Sequence, residues 1–309
     1  MNTAGGRLGP ASHLFGAARR IARIPRLRDR HLGYVFIAPT ILLLVVVLAY
    51  PAYQSVRLSL SPRGGIGGPT LAQYVALAQS DLFRQVIWQT AVFVAASVAA
   101  HVVLGLAMAL VLNRPLWGRT GFRILALLPW VVPDVVAGII WKWILNPLYG
   151  VLNDALVRLG LAANPLEWLT NPSLVLPSVI LANVWRGFPF VMIIFLAGLQ
   201  SIATELYEAA AIDGAGSLQR FRHVTLPGLR RVFIVALALD TIWETRRFGL
   251  VQAMTGGGPG TLSEVLSTQV FKQYFQFFKF EFASAMAIAM TGLLLVVSIP
   301  YVRMIVREE

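Results

Sequence analysis

Apolar residues run through this chain in six long stretches, separated by polar segments marked with proline and glycine. The stretches lie from about Gly33 to Val56, from about Val86 to Leu112, near Phe122 to Leu145, near Leu174 to Leu199, near Val232 to Met254 and near Phe282 to Ile305. An α-helix rises about 1.5 Å per residue, so ~20 apolar residues cross a ~30 Å hydrocarbon core. The pattern predicts an all-α fold, a polytopic membrane protein with six transmembrane helices. On this reading a basic arm occupies residues 1–32, the membrane domain 33–306 and a short tail 307–309. The segment from Asn146 to Ser173 holds its own apolar piece, Val151 to Leu161. It is expected to form a small extracytoplasmic helix with turns at Asn164-Pro165 and Asn171-Pro172. Trp185-Arg186-Gly187-Phe188-Pro189 is expected to break the fourth stretch near its middle, and Thr255-Gly256-Gly257-Gly258-Pro259-Gly260 is expected to be non-helical.

Composition supports the membrane reading. Of the 309 residues 57% are hydrophobic and 13% charged, roughly half the charge of a typical soluble domain. The mean hydropathy is +0.69. Disorder is excluded, because it needs low hydrophobicity and high charge. The net charge of +12 has two readings, nucleic-acid binding or cytoplasmic loops rich in base. Topology favours the second, with no nucleic acid as partner. With the N-terminus inside, sixteen basic residues fall in the inner segments 1–32, 113–123, 200–231 and 303–309, against six in the outer loops. Both termini are then cytoplasmic. The Arg-rich first residues also have the composition of a signal or transit peptide; a cleaved signal would leave five spans and reverse the charge balance. There is no cysteine, which removes disulfides, thiolate metal sites and cysteine nucleophiles. The four histidines show no metal-ligand spacing, so no metal site is expected.

The inner segment between the fourth and fifth stretches is the most informative. It reads Glu208-Ala209-Ala210-Ala211-Ile212-Asp213-Gly214-Ala215, then Leu218 and Phe221, then Val224-Thr225-Leu226-Pro227. The physical expectation is two short helices joined by a bend at Asp213-Gly214, the first capped by Thr204, the second capped by Ser217 and ended by Pro227. An amphipathic connector lying on membrane lipid would satisfy this pattern. The stretch also resembles the EAA motif of permease subunits in binding-protein-dependent ABC importers, with Glu208, Ala209, Ala210, Asp213, Gly214, Ala215, Phe221 and Leu226-Pro227 at the family's spacing. The resemblance spans about residues 33 to 306 and is greatest to carbohydrate-uptake permeases of the maltose and glycerol-phosphate type. Ala38-Pro39, Tyr50-Pro51, Leu128-Pro129 through Trp141-Lys142, Gly150-x-Leu152-Asn153, Trp168-Leu169 and Ala197-Gly198-Leu199-Gln200 carry it. Ala203 stands where the family usually has proline, and Arg246-Arg247-Phe248-Gly249 stands where an acidic residue after Phe is common.

The resemblance implies the type I ABC importer permease fold in a bacterial or archaeal cytoplasmic membrane. It also implies an EAA coupling loop over about 201–227 that docks on a separate ATPase through Glu208, Ala209, Ala210, Asp213, Gly214, Ala215, Leu218, Phe221 and Pro227. The implied partners are a second homologous permease, a dimer of ATP-binding subunits that holds ATP and Mg, an extracytoplasmic solute-binding protein and a carbohydrate substrate. The chain itself holds no cofactor and is not an enzyme on this reading: it has no G-x-x-x-x-G-K-[ST] phosphate loop and no G-x-S-x-G. The alternative is an integral membrane enzyme such as a lipid-linked glycosyltransferase, disfavoured because no acidic pair or metal cluster lies in an aqueous loop.

Several ionisable residues fall at or near membrane depth: Asp134, Lys142, Arg186, Asp240, Glu244, Arg246 and Arg247. A charge at the bilayer centre costs roughly 2.5–3.5 kcal/mol. These residues must pair with one another or line a watery cavity. Trp185, Arg186 and Glu244 are the candidates for a solute path, and mid-span His101 is expected to bond between helices.

Overall fold

The computed structural model describes residues 29–65, 67–115 and 117–307. Most of the basic arm expected over 1–32, and positions 308 and 309 of the tail, lie outside the described residues. The chain divides into two units, Met1–Tyr53 and Gln54–Glu309. In the first, α1 (Asp29–Leu44) runs into a π-helical turn, Val45–Ala49, and helix resumes as α2 (Tyr50–Ser59), which begins in this unit and ends in the second. The wide turn closes where the Tyr50 N–H donates to the Val45 carbonyl, one residue before Pro51. Proline clashes with the carbonyl four residues back, and a widened turn just ahead of it relieves that clash without ending the helix.

The second unit is helical throughout its regular structure, with no strand among the described residues. α3 (Ala72–Gln79) leads into α4 (Asp81–Leu112), which the Ser80 hydroxyl caps by accepting from the Phe83 N–H at 3.2 Å. Then come α5 (Arg119–Val131), α6 (Asp134–Ile144), α7 (Val151–Arg158) and α8 (Val175–Ser201). Three short pieces follow, α9 (Thr204–Ile212), α10 (Ser217–Arg220) and α11 (Leu226–Gly228), and after them α12 (Arg230–Thr245), α13 (Gly249–Met254), α14 (Leu266–Phe271) and α15 (Phe280–Arg307).

Three apolar clusters hold these helices. Phe93 of α4 meets Ala137 of α6, Val179 and Ala182 of α8, and Leu250, Val251 and Met254 of α13. Ala109 and Leu112 of α4 meet Val191, Met192 and Phe195 of α8 and Leu229 and Ala236 around α12. Leu77, Val86, Leu266, Ala285 and Met286 tie α3, α4, α14 and α15. Helices α4 and α8 take part along most of their length, so they form the axis of the unit.

All six predicted stretches are helical, but only four are single helices long and apolar enough to cross a membrane: Phe36–Ser59, Asp81–Leu112, Val175–Ser201 and Phe280–Met304. The third stretch is not one straight span. Its halves α5 and α6 meet at 97°. The cause is Pro133, which has no N–H and forces Val132 into extended backbone, at φ −67° and ψ 127°. The fifth stretch is interrupted between α12 and α13 over residues 246–248. The Arg247 carbonyl released there accepts a hydrogen bond from the Ser267 hydroxyl, so the break leaves it satisfied. The expected break in the fourth stretch is absent: α8 is continuous through Trp185 and Pro189. A single proline costs one helical hydrogen bond, and the packing of α8 against α4 outweighs that loss.

Between α6 and α8 the loop is organised by buried Asn153. Its Oδ1 accepts from the Leu166 N–H at 3.0 Å and from the Trp168 indole N–H at 2.9 Å, while its Nδ2 donates to the Leu166 carbonyl at 2.9 Å. The small helix expected here forms as α7. Asn153→Ala should strand two donors, each at about 1–3 kcal/mol if they stay buried. Limited proteolysis should then cut within 146–173 faster than in the unsubstituted chain; unchanged cleavage would show that the loop stands without Asn153.

Candidate functional site

Two places in the second unit concentrate polar chemistry. The first is the loop from α9 to α11. Ala203, not Thr204, is the N-cap of α9, and no side chain caps that end. The C-terminal end has the expected form. The Asp213, Gly214 and Ala215 N–H groups donate to the carbonyls of Ala209, Ala211 and Ala210 at 3.0, 3.1 and 2.9 Å, and Gly214 has a φ of +78°. That left-handed value is the one glycine adopts without steric cost. Gly216, not Ser217, caps α10, and its N–H donates to the Gln219 side chain at 2.8 Å. Pro227 does not end the second helix: a π turn, Phe221–Thr225, precedes it and helix continues as α11. This is the same accommodation as at Pro51. The Tyr207 and Thr225 hydroxyls lie 3.0 Å apart and brace α9 against the turn.

The loop is a knob with its chemistry outward. Glu208, Ala209, Asp213, Gly214, Leu218 and Pro227 are exposed, and Ala210, Ala215 and Phe221 are half-buried. Ile212 and Leu218 are 88% and 78% exposed. Glu208 and Asp213 make no ion pair among the described residues. Such a surface offers apolar and acidic groups to a partner.

The second place is a cavity of about 490 Å³. The bend between α5 and α6 supplies Trp130 and Asp134, α8 supplies Arg186 and Phe190, and α12 with the break after it supplies Asp240, Trp243, Arg246 and Arg247. Irregular backbone at membrane depth is tolerated where it lines a cavity, and both interrupted stretches do so here. Phe190 joins the aromatic wall, its ring centroid 6.1 Å from Trp130 and 4.4 Å from Trp243.

Behind this wall the charges form a ladder across four elements. His101 Nδ1 lies 2.9 Å from Asp240 Oδ2, and its Nε2 lies 3.3 Å from the Asn183 carbonyl oxygen. The Asn183 amide donates to Ser97 Oγ at 3.0 Å and to Glu244. Glu244 pairs with Arg247, whose Nη1 reaches Asp134 at 3.0 Å, and Asp134 also holds Arg186 Nε at 2.5 Å. His101, Asn183, Asp240 and Glu244 are buried, a position tolerable only because each is bonded.

His101, Asp240 and Glu244 bring three ligand atoms within 4.8 Å of one another. Both ring nitrogens of His101 already face oxygens, and both Glu244 oxygens accept from Arg247 or Asn183. The arrangement is an ion network in which the ring nitrogens of His101 and the oxygens of Glu244 are taken up by neighbouring groups.

The expected inter-helix role of His101 is observed, and Glu244 is found paired with Arg247. Of the candidate path residues, only Arg186 lines the cavity. Trp185 packs edge-on against Trp141 at 5.9 Å within the first apolar cluster. Glu244 sits behind Arg247, and Lys142 does not line the cavity. The aromatic wall was not foreseen, although the sequence holds a signal for it. Arg186 and Phe190, and Asp240 and Trp243, are charge–aromatic pairs spaced four and three apart, which places each pair on one helix face; Trp130 and Asp134 are also four apart but lie on either side of the bend.

Gly187 lets the ladder form. A Cβ there would lie 2.3 Å from the His101 ring. Gly187→Ala should displace His101 from Asp240 and destabilise the protein by about 1–3 kcal/mol, the cost of overpacking. Gly292→Ala, where a Cβ meets nothing within 4 Å, is the control. Equal melting temperatures for the two variants in detergent would refute this account of the packing.

Comparison with known proteins covers most of the chain. Residues 101–307 match the family described as binding-protein-dependent transport system inner membrane component. The trehalose/maltose transport system permease MalF of Thermococcus litoralis is 35% identical over 282 residues, 89% of this chain and 94% of that one. The sulfoquinovosyl glycerol transport system permease SmoG of Agrobacterium fabrum is 34% identical over 284 residues, 90% of this chain and 92% of that one. A solved bacterial ABC transporter involved in the import of the acidic polysaccharide alginate contains a chain similar to this one, with a TM-score of 0.80 and 25% identity over 90% of this chain and 96% of that one. An all-helical, membrane-spanning chain with a bent pair, an interrupted pair and a projecting helical loop, it belongs to the family of binding-protein-dependent transport system inner membrane components.

Proposed function

We propose that this chain is the membrane-spanning permease subunit of an ATP-driven importer and passes a sugar or sugar-like solute, delivered by a binding protein, across the membrane. The observation that carries the reading is the knob over α9 to α11, a braced loop that presents exposed Glu208, Asp213, Ile212 and Leu218 while making no ion pair of its own through either acid among the described residues. It has the form of a docking lever for another subunit. Glu208, Ala209, Ala210, Asp213, Gly214, Ala215, Leu218, Phe221 and Pro227 would meet a separate ATPase, which binds ATP and Mg. A second, similar permease would complete the translocation path. Carbohydrate as the solute is supported by the names of the trehalose/maltose and sulfoquinovosyl glycerol relatives and by the aromatic, hydrogen-bonding lining of the cavity, since an aromatic face suits the C–H face of a sugar ring. Arg186 is the path residue that the cavity favours. Membership of a transport family removes the ground for the membrane-enzyme alternative.

The proposed location is the cytoplasmic membrane of a bacterium or archaeon, with the knob and both termini on the cytoplasmic side. This rests on the excess of basic residues in the inner segments. Reporter fusions after Arg158 and Gly260 should report outside and a fusion after Gly216 inside; a cytoplasmic signal at Arg158 would reverse the orientation.

Coupling is tested at the knob. Gly214→Pro removes the left-handed turn, and Glu208→Lys reverses an exposed charge. Both variants should remain in the membrane but lose uptake, together with association with the ATPase or solute-stimulated ATP hydrolysis. Normal uptake by both at normal expression would exclude this loop as the coupling element.

A further inference from the structure

The charges around the cavity do not all have partners. Asp134 is held by Arg186 and Arg247, Glu244 by Arg247 and Asp240 by His101. Every acid of the site therefore has its own base. Arg186 and Arg247 turn their donors toward Asp134, Glu244 and the Val132 carbonyl. Arg246 differs from both. It lines the same cavity and is exposed, and its guanidinium has no hydrogen-bond or ion-pair partner among the described residues. Its backbone is nevertheless fixed at the end of α12, where its N–H donates to the Trp243 carbonyl at 3.2 Å. The result is an uncommitted guanidinium, on a fixed backbone, in a cavity that Trp130 and Trp243 also line.

We propose that Arg246 is the anion-recognising residue of this cavity, and that the solute the cavity takes is a sugar bearing an acidic group. The inference rests on the reading of the cavity as the solute path. A guanidinium presents a planar fork of donors that matches the oxygens of a carboxylate, sulfonate or phosphate. The nearby acids are not free carboxylates: Asp134 is paired with Arg186 and Arg247, and Asp240 with His101. The cavity volume, about 490 Å³, lies within the range of small-molecule sites, roughly 300–1,000 Å³.

The test uses the full chain in lipid nanodiscs, with intrinsic tryptophan fluorescence as readout and digalacturonate and maltose as probes. Trp243→Phe identifies the part of the signal that comes from the cavity. Digalacturonate should bind roughly tenfold or more tightly than maltose, the scale of one charge-assisted hydrogen bond. Arg246→Gln should remove that advantage, so that digalacturonate binds no more tightly than maltose, Arg246→Lys should restore part of it, and added salt should weaken digalacturonate binding to the unsubstituted chain. An equal response to the two probes, unaffected by Arg246→Gln, would overturn the acidic-sugar assignment while leaving the cavity as a solute site. A signal that Trp243→Phe does not alter, with either probe, would overturn both.

Discussion

A charge within an apolar medium must be matched, and the ladder from His101 to Arg186 is how this chain meets that condition. Asp134, Asp240 and Glu244 sit on or beside helices that are otherwise apolar, where an unpaired carboxylate would favour another arrangement of the helices. Pairing joins α4, α8 and α12 to the bend before α6, because no single helix holds both a charge and its full set of partners. Apolar packing alone is permissive about how helices register in lipid, since hydrocarbon is as good a neighbour as leucine. The ladder removes that freedom. His101 meets Asp240 only when α4 and α12 are in one register, and Gly187 admits the His101 ring only when α8 lies against α4 at that height.

The same chain treats its prolines in three ways, and the difference shapes the site. Before Pro51 and Pro227 a π turn widens the helix and the chain continues. Within α8, Pro189 is absorbed because the helix is packed along its length. At Pro133 the preceding residue goes extended and the chain turns by 97°. That turn carries Trp130 and Asp134 to the cavity, and the interruption after Thr245 does the same for Arg246 and Arg247. The cavity is thus built where regular helix stops.

Connectivity relates the two polar places. α8 carries Arg186 and Phe190 and ends at Ser201, and α9 begins at Thr204. α12 begins at Arg230, directly after the knob, and carries Asp240 and Trp243. Arg186 lies fifteen residues before Ser201, about 22 Å along a helix. Packed helices pass on displacement as nearly rigid bodies, so a force on the knob is delivered to two walls of the cavity. In the proposed importer this would be the route from the ATPase to the solute.

The sequence by itself determined the fold class, because long apolar stretches with few charges have one stable solution in lipid, the helix that satisfies its own backbone. It determined the knob as well, since a helix stopped by Asp213-Gly214 is a local event that depends on residues a few positions apart. It also pointed to most of the charged residues of the site, because a charge in an apolar stretch stands out without any knowledge of its neighbours. Tertiary structure decided the rest. Whether a proline ends, bends or merely widens a helix depends on packing, so the breaks at Pro133 and after Thr245 appeared where single spans were expected, and the break expected at Trp185 to Pro189 did not form. Which charges pair depends on contacts between elements up to 139 positions apart, as for His101 and Asp240. That is why Trp185 is found against Trp141, and why Arg246 rather than Glu244 lines the cavity without an ion-pair partner among the described residues. Periodicity reports which face of a helix is apolar; only the packed helices decide what that face meets.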